Sequence, residues 1–212
     1  VNNAIVSFSQ NFMKAIDPQI TKAYANKNKD EFLNLINIAS KLSFSLLFVV
    51  SIPVIFNSNY ILTLWLKNVP EYTVFFTNLV LIDALVSSLT DPILTGVQAT
   101  GKVKLYQIVI GGLNLLNLPV SYIFLKVSPT PYIPFVVAII ISCAMGVGRM
   151  IIFKRVYSFK LFPYITRVVL PMSIMSGFSF CFMSFLFGKS TIFFELVLKV
   201  GGSILVNGFL IF

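Results

Sequence analysis

Six apolar runs dominate the sequence, near residues 33–56, 73–98, 105–125, 133–153, 164–187 and 191–212. Each approaches or exceeds the roughly 20 residues that a helix needs to cross a bilayer. The last is interrupted by Glu195 and Lys199. In hydrocarbon a chain must satisfy its own backbone donors and acceptors, which a helix does within one segment. Charged residues make up 11% of the chain and hydrophobic ones 57%, with a mean hydropathy of +0.91. A soluble domain carries about a quarter charged residues, so lipid is the natural solvent here. The predicted fold class is all-α integral membrane, a polytopic transmembrane helix bundle of about seven helices over 1–212.

The seventh segment is residues 1–20, where Ile5, Phe8, Phe12, Ile16 and Ile20 recur at helical spacing and Asn3, Ser7, Asn11 and Lys14 follow the same period on another face. That pattern fits an interfacial helix or a bundle helix with one face on a water-filled cavity. The strong spans that follow supply neighbours and favour the second. The expected hinges include Asn57-Ser58-Asn59, Gly101-Lys102-Val103-Lys104, Ser128-Pro129-Thr130-Pro131 and Phe162-Pro163. Val1 stands where a start would be Met, and the last residues stop inside an apolar run. Both ends read as cut, and the chain as a fragment of a longer one.

Loop charges test this topology independently of hydropathy. Alternate hinges fall on opposite sides of the membrane. The first, third and fifth carry Lys22, Lys27, Lys29, then Lys102 and Lys104, then Lys154, Arg155, Lys160 and Arg167, nine basic residues in all. The other three hinges carry Lys67, Lys126 and Lys189. The basic side is expected in the cytoplasm, which puts the N-terminal end of this chain outside. Tyr60 and Trp65 then suit the outer aromatic belt. The expected location is a cell inner (plasma) membrane, crossed many times, with the lipid bilayer as first partner.

The net charge of +9 does not call for nucleic acid, because the basic residues sit mostly at the ends of apolar runs, where they orient helices and meet anionic head groups. There is no histidine, and Cys143 and Cys181 stand alone in apolar surroundings. No zinc-ligand cluster is spaced for a metal, and Gly111-Gly112, Gly146-Val147-Gly148 and Gly201-Gly202 lack the strand-to-helix context of a nucleotide fingerprint. They are expected to permit close helix packing. No metal, cofactor or catalytic residue is expected, and the chain does not read as an enzyme.

Ionisable groups inside spans are costly and usually face a cavity or a partner. Asp83, Ser87, Asp91, Thr95 and Gln98 form an i, i+4 stripe down one helix face, and Pro92 is expected to bend that helix. The stripe lines a solvated path, with Asp83 or Asp91 pairing with a cation or a proton, or else both acids satisfy hydrogen bonds between helices. Asn34, Asn37, Lys41 and Ser45 form a second stripe. Lys41 is about 12 Å along the helix from residue 33, within reach of the cytoplasmic interface by snorkelling; a substrate contact is the alternative. Gln107, Asn114, Asn117 and Ser121 share a third face, with Pro119 as a kink, lining a cavity or bonding to a neighbouring helix. Arg149 lies near a span end and is expected to snorkel.

Three segments resemble polysaccharide flippases. Tyr24-Ala25-Asn26-Lys27-Asn28-Lys29-Asp30-Glu31-Phe32 is similar to a cytoplasmic loop of that family. Ile61-Leu62-Thr63-Leu64-Trp65-Leu66-Lys67-Asn68-Val69-Pro70 resembles an outer segment, with Lys67 where glycine is usual. Ala99-Thr100-Gly101-Lys102-Val103-Lys104 resembles a cytoplasmic turn. Together they are similar to the C-terminal half of a Wzx-type O-antigen or capsule flippase, in the multidrug/oligosaccharidyl-lipid/polysaccharide exporter superfamily. The resemblance implies half of a two-bundle, inverted-V transporter working by alternating access. It implies flipping of an undecaprenyl-pyrophosphate-linked oligosaccharide in O-antigen, capsule or exopolysaccharide (lipopolysaccharide) biosynthesis, alongside glycan polymerase machinery. On this reading Lys41 and Arg149 meet the pyrophosphate and Asp83 or Asp91 the coupling ion. The alternatives are a drug or metabolite exporter of the same superfamily and a membrane-embedded glycan polymerase or ligase. The outer hinge 57–72 holds one Lys and one Glu, less than such enzymes generally carry in their outer loops.

Overall fold

The computed structural model describes residues 2–66, 68–157 and 161–186, all of them in helices or the turns between. The run 191–212, the end of 164–187 and the hinge residues Lys67, Lys160 and Lys189 lie outside the described residues. The helices are α1 (Asn2–Ala25), α2 (Lys29–Phe56), α3 (Ser58–Leu66), α4 (Thr73–Ser88), α5 (Asp91–Ala99), α6 (Val103–Leu115), α7 (Asn117–Val127), α8 (Ile133–Tyr157), α9 (Leu161–Tyr164) and α10 (Leu170–Leu186), with a π-helical stretch, Ile165–Val169, joining the last two. Among the described residues five runs are long and apolar enough to cross a membrane: Lys29–Phe56, Thr73–Ala99, Val103–Val127, Ile133–Tyr157 and Leu161–Cys181.

Local chemistry explains the boundaries. Lys27 is left-handed at φ 59°, which turns the chain tightly between α1 and α2. Asn28 then caps α2: its side-chain oxygen accepts from the Glu31 N–H at 3.3 Å and its amide donates to the Glu31 carboxylate at 2.8 Å. Asp30 and Glu31 in the first turn suit the positive end of the helix dipole. At the other end, the Asn57 N–H and amide both donate to the Pro53 carbonyl, at 3.1 and 3.0 Å.

Proline breaks two of the spans. Thr73–Ala99 divides into α4 and α5 just before Pro92, and Val103–Val127 into α6 and α7 just before Pro119. Each proline lacks the N–H that would continue the ladder. Pro163 behaves otherwise than expected of a hinge. It lies in the first turn of the helical run that starts at Leu161, where its missing N–H is not needed, and in the next turn the Leu170 N–H donates to the Ile165 carbonyl in π geometry.

α2 is the central helix, packed against α1, α4, α5 and α10, and α8 packs against α4 to α7. Two apolar cores result. One joins Ile20, Phe32, Ile36, Val97, Phe153 and Val168, all fully buried or nearly so. Next to it Phe32 meets Tyr24 and Tyr157 at centroid distances of 5.4 and 4.7 Å, which gathers the ends of α1, α2 and α8. The other core joins Phe44, Phe48, Leu81, Leu85, Met172 and Met175.

Gly96 is the tightest crossing. A β-carbon there would lie 2.7 Å from Ile36 Cδ1 and 3.2 Å from the Phe153 ring, so α5 reaches α2 and α8 only because the side chain is missing. Gly148 does the same on a smaller scale, 3.2 Å from Ile110 Cδ1. Gly111 and Gly112 do not follow the packing expectation: no neighbour lies within 4 Å of a β-carbon at either. Their helix pair, α6 and α7, runs along the edge of the described bundle, with Leu115, Leu118 and Val127 more than 70% exposed. Gly201-Gly202 lies outside the described residues.

Candidate functional site

A cleft of about 600 Å³ opens between α1, α2 and the α4–α5 span. Asp83, Ser87, Asp91 and Thr95 line it together, joined by Lys14 and Asp17 from α1. The stripe expected on residues 83 to 95 therefore shares one surface; Gln98 is exposed and lies outside that lining. On α1 the polar face reaches the cleft through Gln10, Lys14 and Asp17, while Asn11 is exposed and accepts from Lys14 at 3.3 Å.

The break before Pro92 places Asp91 at the start of α5, where the free backbone N–H groups favour a carboxylate. Arg149 of α8 crosses to it. Its Nη1 donates to Asp91 Oδ1 at 2.5 Å and to Thr90 Oγ1 at 3.0 Å. The guanidinium side is 12% exposed and the carboxylate side 49%, so the pair has a buried root and an open face. The snorkelling expectation had no place for this pair, in which a carboxylate within reach holds the guanidinium by a charge-assisted hydrogen bond. Gly146, one turn earlier on α8, lies against Thr90, which a β-carbon would meet at 3.5 Å.

The second contact across the cleft was not expected from sequence. Thr95 Oγ1 donates to Asp17 Oδ1 at 2.9 Å, tying α5 to α1. The signal was nonetheless present: Asp17-Pro18 and Asp91-Pro92 are both Asp-Pro pairs inside helices, and both acids face the same cleft. Asp83 differs from them. One of its carboxylate oxygens is buried without a hydrogen-bond partner among the described residues. A buried carboxylate in that state calls for water, a cation or a proton.

The other candidates are scattered. Lys41 is half-buried on α2 and lines neither the cleft nor the larger pocket where α2 begins. Its companions divide: Asn34 and Asn37 line a larger pocket at the end of the bundle where α2 begins, and Ser45 lies 3.6 Å from the Met172 sulfur. Asn114 is exposed at the bundle edge, and Asn117 accepts from Ser121 of its own helix at 3.2 Å. Among the described residues no three His, Cys, Asp or Glu side chains cluster to hold a metal ion.

Three carboxylates and one lysine line the cleft, with Arg149 behind Asp91. Such a surface attracts cations more readily than it accepts an anion. Comparison with curated proteins and with solved structures gives no match. The MatE family model matches residues 1–123, which carry α1 to α6, most of the cleft and the first part of α7. By that match over more than half its length, the chain belongs to the MatE family of membrane exporters.

Proposed function

We propose that this chain is part of a flippase that moves an undecaprenyl-pyrophosphate-linked oligosaccharide from the inner to the outer leaflet of a bacterial inner membrane, supplying O-antigen, capsule or exopolysaccharide assembly. The MatE match over residues 1–123 and the flippase-like segments carry the reading, and the acidic cleft supplies its coupling site: three carboxylates among transmembrane helices, one of them, Asp83, with a buried oxygen that has no partner among the described residues. A lipid-linked pyrophosphate is anionic and would be repelled there. The cleft therefore serves as the coupling site, where a cation or proton at Asp83 biases the alternation between inward and outward states. Arg149 holds Asp91 in place rather than meeting pyrophosphate. Lys41 remains the candidate for that contact, with the basic end of the bundle, bearing Lys22, Lys27, Lys29 and Lys102, toward the cytoplasm.

Deleting the full-length protein tests the reading. Lipid-linked repeat units are expected to accumulate on the inner leaflet, and Asp83→Asn is expected to reproduce that accumulation while the protein still reaches the membrane. Repeat units appearing outside but unpolymerised would point to a glycan polymerase instead. Unchanged export with altered resistance to amphiphilic drugs would favour a drug exporter of the same superfamily.

A further inference from the structure

The acidic cleft and a larger cavity both open among the described residues. The larger, about 980 Å³, lies where α2 begins and is lined by Lys29, Asn34, Asn37, Tyr164 and Arg167 among others. A polar row on α2 runs from one to the other. Asn37 lines the basic-end pocket, Ser43 lines the cleft, and Ser40 lies between them, fully buried. Residues three apart on a helix share a face, so this row links the two cavities along one side of α2.

The route is closed at Ser40. The Tyr164 ring, 1% exposed, brings its hydroxyl to 2.8 Å from Ser40 Oγ and 2.5 Å from the Leu89 carbonyl oxygen. That carbonyl is available because of the α4–α5 break. In a continuous helix it would accept from the Ile93 N–H, which here donates to Thr90 at 3.1 Å. A phenol has one proton and a carbonyl only accepts. The Tyr164 proton therefore goes to Leu89, which leaves Ser40 as donor to Tyr164. Ser88 and Asp91, on either side of this junction, already line the cleft. Three helical elements meet at one hydroxyl: the central helix, the broken span, and the run that passes through the π-helical stretch.

We infer that the Tyr164 hydroxyl is the barrier between the two cavities, and that its release from the Leu89 carbonyl joins the basic-end pocket to the acidic cleft. This rests on the reading of the cleft as part of a transport path. The π geometry immediately after Tyr164 fits a residue that must move, since such turns carry a surplus residue that a small shift can pass along the helix. Tyr164 is a positioning residue: it sets which side the cleft opens to and takes no part in binding the coupling ion.

The test uses the full-length protein with Cys143→Ala and Cys181→Ala, and Ser87→Cys as a reporter in the cleft. A cationic, membrane-impermeant methanethiosulfonate is added to inverted vesicles or to spheroplasts, and the labelling rate from each face is measured. With Tyr164 present, labelling is expected to be slow from the basic end. Tyr164→Phe removes only the hydroxyl and should raise that rate about fivefold to tenfold, the shift that one or two net hydrogen bonds can hold. An unchanged rate from the basic end overturns the inference, as does equal labelling from both faces before the substitution. If Tyr164→Phe fails to accumulate, Ser40→Ala is read the same way, with a smaller rise expected and no rise overturning the barrier. Flipping is scored separately. A barrier that responds to Tyr164→Phe in a strain whose deletion leaves repeat-unit export intact would keep the inference and remove the flippase reading. A reporter silent from both faces would overturn the inference, since the cleft would then open to neither side, and leave the flippase reading to the export assay.

Discussion

Two spans of this chain look alike in sequence and meet different fates. Thr73–Ala99 and Val103–Val127 are both apolar, both broken just before a proline, and both striped with polar side chains at helical spacing. In the first, the stripe is drawn into the protein: Asp91 meets Arg149, Thr95 meets Asp17, and the carbonyl exposed by the break is taken up by Tyr164. In the second, Asn114 is exposed and Asn117 finds its side-chain partner among the described residues on its own helix, at Ser121. A proline and a polar stripe thus create the capacity for a site. Neighbouring helices decide whether it is used, and the α4–α5 span has three of them, α1, α2 and α8, packed against its stripe or its break.

The sharpest way to break this comparison is to unpair its central contact. Arg149→Met leaves the Asp91 carboxylate at the helix break without its cation. Loss of one partner from a fully buried pair costs about 3–5 kcal/mol. With half of the carboxylate open to the cleft, screening should reduce this to about 1–3 kcal/mol. Thermal unfolding of the full-length protein in detergent measures it, and repeat-unit flipping should fall with it. Asp91→Asn in the Arg149→Met background should recover part of the stability, and a strictly additive double mutant would show that the two side chains do not interact.

Glycines give the next largest contrast. Gly96→Leu forces side-chain atoms into Ile36 and Phe153 and should cost about 1–3 kcal/mol by overpacking. Gly111→Ala, on the edge helix with open space around it, should be neutral or stabilising by up to about 1 kcal/mol through helix propensity. Equal penalties at both positions would mean that α6 is as closely packed as α5.

The smallest effect is expected at Asn114. Asn114→Ala should change stability by less than about 0.5 kcal/mol and leave flipping intact. A transport defect there, measured beside Asp83→Asn, would make the second stripe functional and erase the distinction between the spans.

Much of the architecture was legible because it is local. Apolar length sets a span, Asn28 and Glu31 set a cap, and Pro92 and Pro119 set the breaks, each through groups within a few residues. The cleft-lining set Asp83, Ser87, Asp91 and Thr95 was legible for the same reason, since helical periodicity alone puts them on one face. The pairing of Arg149 with Asp91 was not legible, because the partner lies 58 residues away. Tyr164 stood out in no pattern, being one aromatic in a chain that has 22 Phe and 8 Tyr.

By itself, then, the sequence determined that this chain forms apolar helices, where they bend, and which of their faces carry charge. These follow from hydrophobic length, the missing proline N–H and the 3.6-residue turn, and none depends on a neighbour. Only the tertiary structure decided which charged face became a cleft, that Asp91 is held by Arg149 while one Asp83 oxygen has no partner among the described residues, and that Tyr164 ties Ser40 to the Leu89 carbonyl. Those outcomes depend on which helices come within hydrogen-bonding distance, a property of packing that no single segment encodes.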